Sequence, residues 1–389
     1  MRPGFDRPWN PKLGPPEVVT DRPAQVIRGH GSDVVSAVFL THDGRGPVLT
    51  CADVTLRVFD PARTGDSRVL ATGTGFGFTG GFGPGSGFGG GLAFTPDGRT
   101  LAAVVDGRTQ LFEADTGKPA AGLPLDPTPV TAMALSADGK WVAEGLSDRL
   151  RVRPVGGGEG ARSWEARRAF TLGCAFAPGG DRLAACAADG TFGVWEVPAG
   201  RKVWSAKAPL TTAVAWHPHG KTLATCGTDR VIRLWAAADG KPGRTFEGHT
   251  HFVNQVVFDR DGTRLASASS DNTTRVWDVA TGRQLLMLRT RDHYIHSVAF
   301  SPDGERLADA SGDGVVTVYD ARTGQDAITL KGHAGLISRI VFSPDGARLA
   351  TTGEDRTVRL WDAPPDAAAE VPPWADKSFD PAGKSTGRK

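Results

Sequence analysis

One glycine recurs along almost the whole chain at a nearly constant interval. Gly44, Gly98, Gly139, Gly180, Gly220, Gly262, Gly304 and Gly346 are separated by 54, 41, 41, 40, 42, 42 and 42 residues. Each closes the same phrase, as in "LAFTPDGRTLAAVV", "VAFSPDGERLADAS" and "IVFSPDGARLATTG". An apolar run ends in an aromatic, a two-residue turn follows, and a second apolar run begins. A second mark follows each turn: Asp53, Asp106, Asp148, Asp189, Asp229, Asp271, Asp313 and Asp355. Beyond each aspartate stand Phe59, Phe112, Pro154, Trp195, Trp235, Trp277, Tyr319 and Trp361, at a constant spacing of six residues. Between the marks, runs such as "RVIRLW" and "TTRVWD" alternate apolar and polar residues. That is the period of strands, and Asp-Gly between two such runs predicts a hairpin. No stretch within the repeats reads as a long amphipathic helix. Each unit is therefore expected to be an antiparallel meander, and one meander cannot bury both its faces alone, so neighbours must stack.

The units resemble WD repeats. "GH" stands at Gly29–His30, Gly248–His249 and Gly332–His333, and "WD" closes runs at Val276–Asp278 and Leu360–Asp362, with "VFD", "VYD" and "VWE" as variants. The resemblance covers roughly residues 24–363. It implies an all-β fold, a single closed β-propeller of four-stranded blades around a central channel. Most members of that family have seven blades. Eight units are counted here, so eight is the expectation and seven the alternative. The repeats fall near 30–60, 73–113, 130–155, 172–197, 212–237, 249–279, 294–320 and 333–363, between a Pro-rich extension, 1–23, and a tail, 364–389, expected to be disordered. "AQVIRGH" at 24–30 matches "AITLKGH" at 327–333, so the chain opens with a fourth strand and ends on a third. Pairing the two would close the ring and remove two free sheet edges.

The long interval between Gly44 and Gly98 holds a glycine-rich insertion, 74–91, within "GTGFGFTGGFGPGSGFGGG". Gly75, Gly77 and Gly80 have the G-x-G-x-x-G spacing of a dinucleotide loop. That loop needs a strand before it and a helix after it, with an acid farther on. Here a strand follows, so there is no helix N-terminus to meet a pyrophosphate. No G-K-[ST] follows the glycines either. The stretch reads as a surface loop, and Phe76, Phe78, Phe82 and Phe88 make it a candidate contact loop, because exposed apolar groups gain by docking.

Two repeats repeat a polar pattern: His249, Ser267, Asp271 and Trp277, then His333, Thr351, Asp355 and Trp361. A serine, a histidine and an aspartate invite a hydrolase reading. A nucleophile, however, would occur once, whereas this set recurs and substitutes threonine. The resemblance implies instead a structural tetrad, in which carboxylate, imidazole, hydroxyl and indole satisfy one another. Thr225, Asp229 and Trp235 form a partial set with Lys207 at the histidine position, and His30 and Asp53 form another. Repeats 2, 3, 4 and 7 depart further, and their packing is expected to rest on apolar contacts.

Arg149, Arg230 and Arg356 directly follow marker aspartates, and Arg108 stands two places after one. Phe252, Tyr294 and Leu336 stand just before first strands. All are candidates for a rim that binds an acidic protein or peptide partner on the top face. Lysine plus arginine (45) exceed aspartate plus glutamate (43) by only two, which argues against general attraction to nucleic acid or an anionic membrane. No apolar run is long enough for a membrane span, and the first residues lack the apolar core of a secretory signal. A cytoplasmic, noncatalytic interaction scaffold is the expectation, with no cofactor, no metal and no catalytic residue. The rivals are a propeller enzyme with its site in the channel, for which His296 is a scattered candidate, and weak nucleic-acid binding through a basic rim. Cys51, Cys174, Cys186 and Cys226 show no metal or redox spacing and read as buried thiols.

Overall fold

The computed structural model describes residues 130–155, 171–208, 211–290, 293–343 and 345–362. Before and between these it describes 25–27, 34–39, 48–52, 55–59, 67–72, 92–94, 100–105, 108–113, 120 and 162–164. The described residues contain strands and no helix. The glycine-rich insertion, with Phe76, Phe78, Phe82 and Phe88, lies outside them. So do His30, Asp53, the extension and the tail.

Seven four-stranded antiparallel sheets and one three-stranded sheet are formed by the described residues. Six of the four-stranded sheets are meanders of consecutive strands. Val253–Phe258, Arg264–Ser269, Thr273–Asp278 and Gln284–Arg289 make one, and Ile295–Phe300, Arg306–Ser311, Val315–Asp320 and Asp326–Lys331 make the next. The three-stranded sheet is Leu92–Phe94, Thr100–Val105 and Arg108–Glu113. On its outer side Ala120 donates its N–H to the Leu111 carbonyl at 2.8 Å. One sheet joins the two ends of the described chain: Gln25–Ile27 pairs with Val358–Asp362, with Gln25 opposite Leu360 and Ile27 opposite Val358. First strands of successive sheets lie side by side, and Val34–Phe39 lies against Ile337–Phe342 and Arg348–Gly353.

The repeating turn is longer than a two-residue hairpin. Between Phe300 and Arg306 run five residues, Ser301 to Glu305. Gly304 donates to the Ser301 carbonyl at 2.8 Å, and only the glycine has positive φ, +73°. A two-residue Asp-Gly turn would need positive φ at both residues. Here Pro302 presets the first bend and the serine holds the loop. Ser301 Oγ accepts from the Arg306 N–H at 2.9 Å and donates to Asp303, whose carboxylate also accepts from the Glu305 N–H. The same loop recurs around Ser136 and Asp138, and around Ser343 and Asp345. The arginine that opens several second strands crosses to a neighbouring sheet. Arg264 reaches the Ala321 and Gly304 carbonyls, Arg306 that of Gly346, and Arg182 that of Ala237.

The core lies between sheets. Ala266, Val276 and Leu288 of one sheet pack with Ile295, Val298, Leu307 and Tyr319 of the next, and the same layer recurs from Ala213 to Trp277. Small alanines on second strands let large side chains of the neighbour interdigitate. Each fully buried leucine or valine contributes about 1.5–3 kcal/mol. Cys174, Cys186 and Cys226 are buried in this core as thiols outside any disulfide. Burial pushes the Cys186 thiol up to about 12.

Candidate functional site

His249 follows a glycine that only glycine can fill. Gly248 has φ of +137°, and a Cβ there would lie 2.5 Å from the Arg275 guanidinium. From this position the imidazole reaches two partners. Its Nδ1 is 2.8 Å from Asp271 Oδ2 and its Nε2 is 2.7 Å from Ser267 Oγ. Trp277 Nε1 donates to the same Ser267 oxygen at 2.9 Å. An indole only donates. The consistent assignment therefore runs from the Trp277 N–H to Ser267, from the Ser267 hydroxyl to His249 Nε2, and from His249 Nδ1–H to the carboxylate. Asp271 also accepts from the Thr250 N–H and from the Thr273 N–H and hydroxyl. The second set repeats this geometry. His333 lies 3.0 Å from Asp355 and 2.8 Å from Thr351, which accepts from Trp361 at 2.9 Å. Burial favours the neutral imidazole and lowers both histidines, outweighing their aspartates. Burial raises Asp271, but the bonds from His249, Thr273 and Thr250 outweigh it and hold the carboxyl well below its usual range. Ser267 and Thr351 are fully buried and engaged on both sides, so neither hydroxyl is presented to a substrate.

In the partial set, Trp235 donates to Thr225 at 2.8 Å. Asp229 pairs with Arg233 at 2.6 Å. Lys207 does not stand in for the histidine: it ends an outer strand opposite Thr191 and is exposed.

The expectation of purely apolar packing in repeats 3 and 7 is overturned. In repeat 3 the buried Glu144 takes the hydroxyl position. It accepts from Arg151 Nε at 2.6 Å and from Arg153 at 2.9 and 2.5 Å, and both arginines are buried. The turn after Glu144 is one residue shorter than its counterpart, so Val142 faces Arg153 as Leu265 faces Trp277. Arg153, not Pro154, thus occupies the aromatic place. In repeat 7 the hydroxyl position is Asp309, also buried, which accepts from Thr274 of the preceding sheet at 2.7 Å and from the Tyr319 hydroxyl at 3.4 Å. Neither substitution is visible from the Asp-to-aromatic spacing. The signal was a charged residue inside the apolar runs "WVAEGL" and "RLADAS".

The end of the sheets that holds the marker aspartates also holds most of the described rim candidates. Phe252, Tyr294 and Leu336 occupy equivalent positions in successive sheets. Their carbonyls accept from Ser270, Gly312 and Glu354 in the turns between second and third strands, at 2.9, 3.0 and 3.0 Å. Phe252 is 42 % exposed and Tyr294 37 %, whereas Leu336 is half-buried. Tyr294 rests on Gly312, where a Cβ would meet its ring at 3.1 Å. In these turns Arg230 and Arg356 are exposed and left-handed, with φ of +70° and +63°. Gly190 and Gly314 fill that place elsewhere, at +81° and +83°. Arg149 differs because its turn is shorter: it is half-buried and lies 3.7 Å from Asp148. Arg108 is half-buried at the start of a third strand, opposite Val105.

His296 lies on a first strand, with Nδ1 buried and without a hydrogen-bond partner among the described residues, and burial pushes its imidazole down to about 4. In two other sheets the same position donates to the next sheet's first strand, from Asn254 to the Ile295 carbonyl and from Thr131 to the Thr171 carbonyl.

No curated protein matches the chain. No described helix is long and apolar enough to cross a membrane. The description "WD domain, G-beta repeat" matches residues 167–196, 202–236, 240–278, 283–320 and 324–362. Those five matches cover the sheets that carry both full hydrogen-bonded sets, and the chain belongs to the WD-repeat family.

Proposed function

We propose that the chain is a noncatalytic, cytoplasmic scaffold: an eight-bladed ring, closed by its N-terminal strand, that binds a protein or peptide on the end carrying Phe252, Tyr294, Arg230 and Arg356. Proteins of this family generally serve as interaction scaffolds, which supports the class of function but not the surface. The observation that carries the surface is the placement of exposed aromatics at one end of successive sheets, beside arginines held in a left-handed conformation. A left-handed arginine costs about 1–2 kcal/mol that a glycine avoids. Backbone strain of this kind concentrates where a side chain is used. Aromatic and arginine side chains are also those that dominate interface energies. Arg149 at its shorter turn, Leu336 and Arg108 would contribute less, because each is half-buried. Phe76, Phe78, Phe82 and Phe88 extend the proposal as a contact loop.

The test is capture of partners by the parent chain and by the variant Phe252→Ser, Tyr294→Ser, Arg230→Gly, Arg356→Gly, at low and high salt. The expected result is a partner that the parent retains at low salt and the variant loses. The melting temperature should stay constant or rise, since relieving the two arginines gains up to about 1 kcal/mol each. A variant that keeps every partner while deletion of 364–389 loses them would place binding elsewhere.

A further inference from the structure

Among the described residues the exposed large apolar side chains are Phe252, Tyr294, Leu285 and Met287. The first two belong to the end already discussed. Leu285 and Met287, 40 % and 51 % exposed, do not. They lie on Gln284–Arg289, the outermost strand of its sheet, which among the described residues pairs only with Thr273–Asp278. Leu286 and Leu288 of the same strand pack into the core toward the next sheet. The strand therefore presents apolar side chains on both faces and an unpaired backbone along its outer edge.

Such an edge is ordinarily blunted by proline, by charge or by a covering element. The outer strand Pro242–Phe246 begins with proline and exposes Gly243, Arg244 and Thr245. On Lys202–Lys207 the largest side chain, Trp204, is buried and donates to the Ala237 carbonyl. Gln284–Arg289 instead carries charge only at its last residue, Arg289, with Arg283 just before its first. Arg283 and Arg289 are both exposed, and neither has an ion-pair partner among the described residues. Described residues 279–290 contain no acidic side chain.

We infer that Gln284–Arg289 is a docking edge for an extended segment of another protein, one with an apolar centre flanked by acidic residues, that adds to the sheet as a fifth strand. Main-chain hydrogen bonds to the free edge would hold the segment. Its apolar side chains would cover Leu285 and Met287, and its carboxylates would meet Arg283 and Arg289. The charge pattern selects this occupant. Two copies of the chain paired antiparallel here would set arginine against arginine at both ends of the seam, and like charges placed opposite each other destabilise a strand pair. The chain's own tail carries Asp366, Glu370, Asp376 and Asp380, but Lys377, Lys384, Arg388 and Lys389 balance them, and Pro364, Pro365, Pro372 and Pro373 remove the donors a strand needs.

The test uses the full chain and a short synthetic peptide with a valine centre flanked by glutamates, with the same peptide flanked by lysines as control. Binding is read by fluorescence anisotropy and by amide hydrogen exchange. The glutamate peptide should bind and protect the amides of Gln284–Arg289, and the lysine peptide should not. Arg283→Ser with Arg289→Ser should weaken binding by about tenfold, the sum of two exposed ion pairs. Leu285→Ser with Met287→Ser should do the same without changing the melting temperature, because both side chains are already exposed. Equal binding of the two peptides, or an affinity unmoved by either pair of substitutions, overturns the inference. So does a dimer in sedimentation that Leu285→Ser with Met287→Ser dissociates, which would make the occupant a second copy. A rise in peptide affinity on deleting 363–389 would overturn it in favour of the tail. None of these variants alters Phe252, Tyr294, Arg230 or Arg356, so this edge and the proposed binding end succeed or fail separately.

Discussion

Asn272 shares with Arg230 and Arg356 the left-handed place that glycine fills at 190 and 314. Asparagine tolerates that region through its short polar side chain, and arginine has no such excuse. Sequence alone shows an arginine after an aspartate; it does not show the sign of φ, which the length of the turn decides. His296 makes the same point through burial. Its imidazole is pushed down from 6.5 to about 4, so the folded chain refuses a proton that the unfolded chain accepts. Above pH ~6.5 both states are neutral and the folded state loses nothing. As the pH falls below that value the unfolded state gains protons and stability declines, down to about pH 4. By pH ~5 the loss from this one residue is on the order of 2 kcal/mol. His249 and His333 shift in the same direction and add to the decline. In melting curves at neutral pH and near pH ~5, His296→Asn should show a smaller fall than the parent. Equal falls would remove His296 from the account.

At the level of strands, the interchange of parts within one architecture is the main observation. Trp277 donating to Ser267, Arg153 donating to Glu144 and Tyr319 donating to Asp309 all link a third strand to a second at the same register. The glutamate version carries two buried guanidiniums, and its partners are not interchangeable one at a time. Glu144→Gln keeps the shape but removes the charge, and breaking a buried ion cluster by losing one member costs about 3–5 kcal/mol. Replacing Glu144, Arg151 and Arg153 together by leucine or methionine should recover most of that loss, since apolar packing of similar volume is often as stable. Chemical denaturation of the two variants measures both. A single variant as stable as the parent would mean that the cluster is solvated in solution. The period-2 pattern made these strands legible, and so did the glycine before each tetrad histidine. Spacing along the chain puts Pro154 at the aromatic position, whereas side chains meet according to cross-strand register, and one residue lost from a turn shifts that register.

For the whole molecule, the pairing of Gln25–Ile27 with Val358–Asp362 joins segments more than three hundred residues apart. Deleting residues 1–20 leaves that strand in place, while deleting 1–30 removes it and bares the edge of the last sheet. Only the longer deletion should lower stability, by about 2 kcal/mol or more from unpaired backbone groups, or cause aggregation through the exposed edge. Thermal melting and light scattering of the two truncations check this, and identical behaviour would mean that the pairing contributes nothing to stability. The sequence by itself determined the repeat, the meander, the places of the glycine and aspartate turns among the described residues, and the spacing of the residues around His249 and His333. The repeat and its turns follow from local alternation and from fixed spacing within one unit, which a chain carries wherever it folds, while the role of the two sets follows from the resemblance to WD repeats. The tertiary structure decided the rest: the Arg151–Glu144–Arg153 cluster, the bond from Thr274 to Asp309, the lone Nδ1 of His296 and the bare edge at Leu285 and Met287. Each depends on which residue of one strand or sheet meets which residue of its neighbour, and that is set by register and packing between segments distant in the chain.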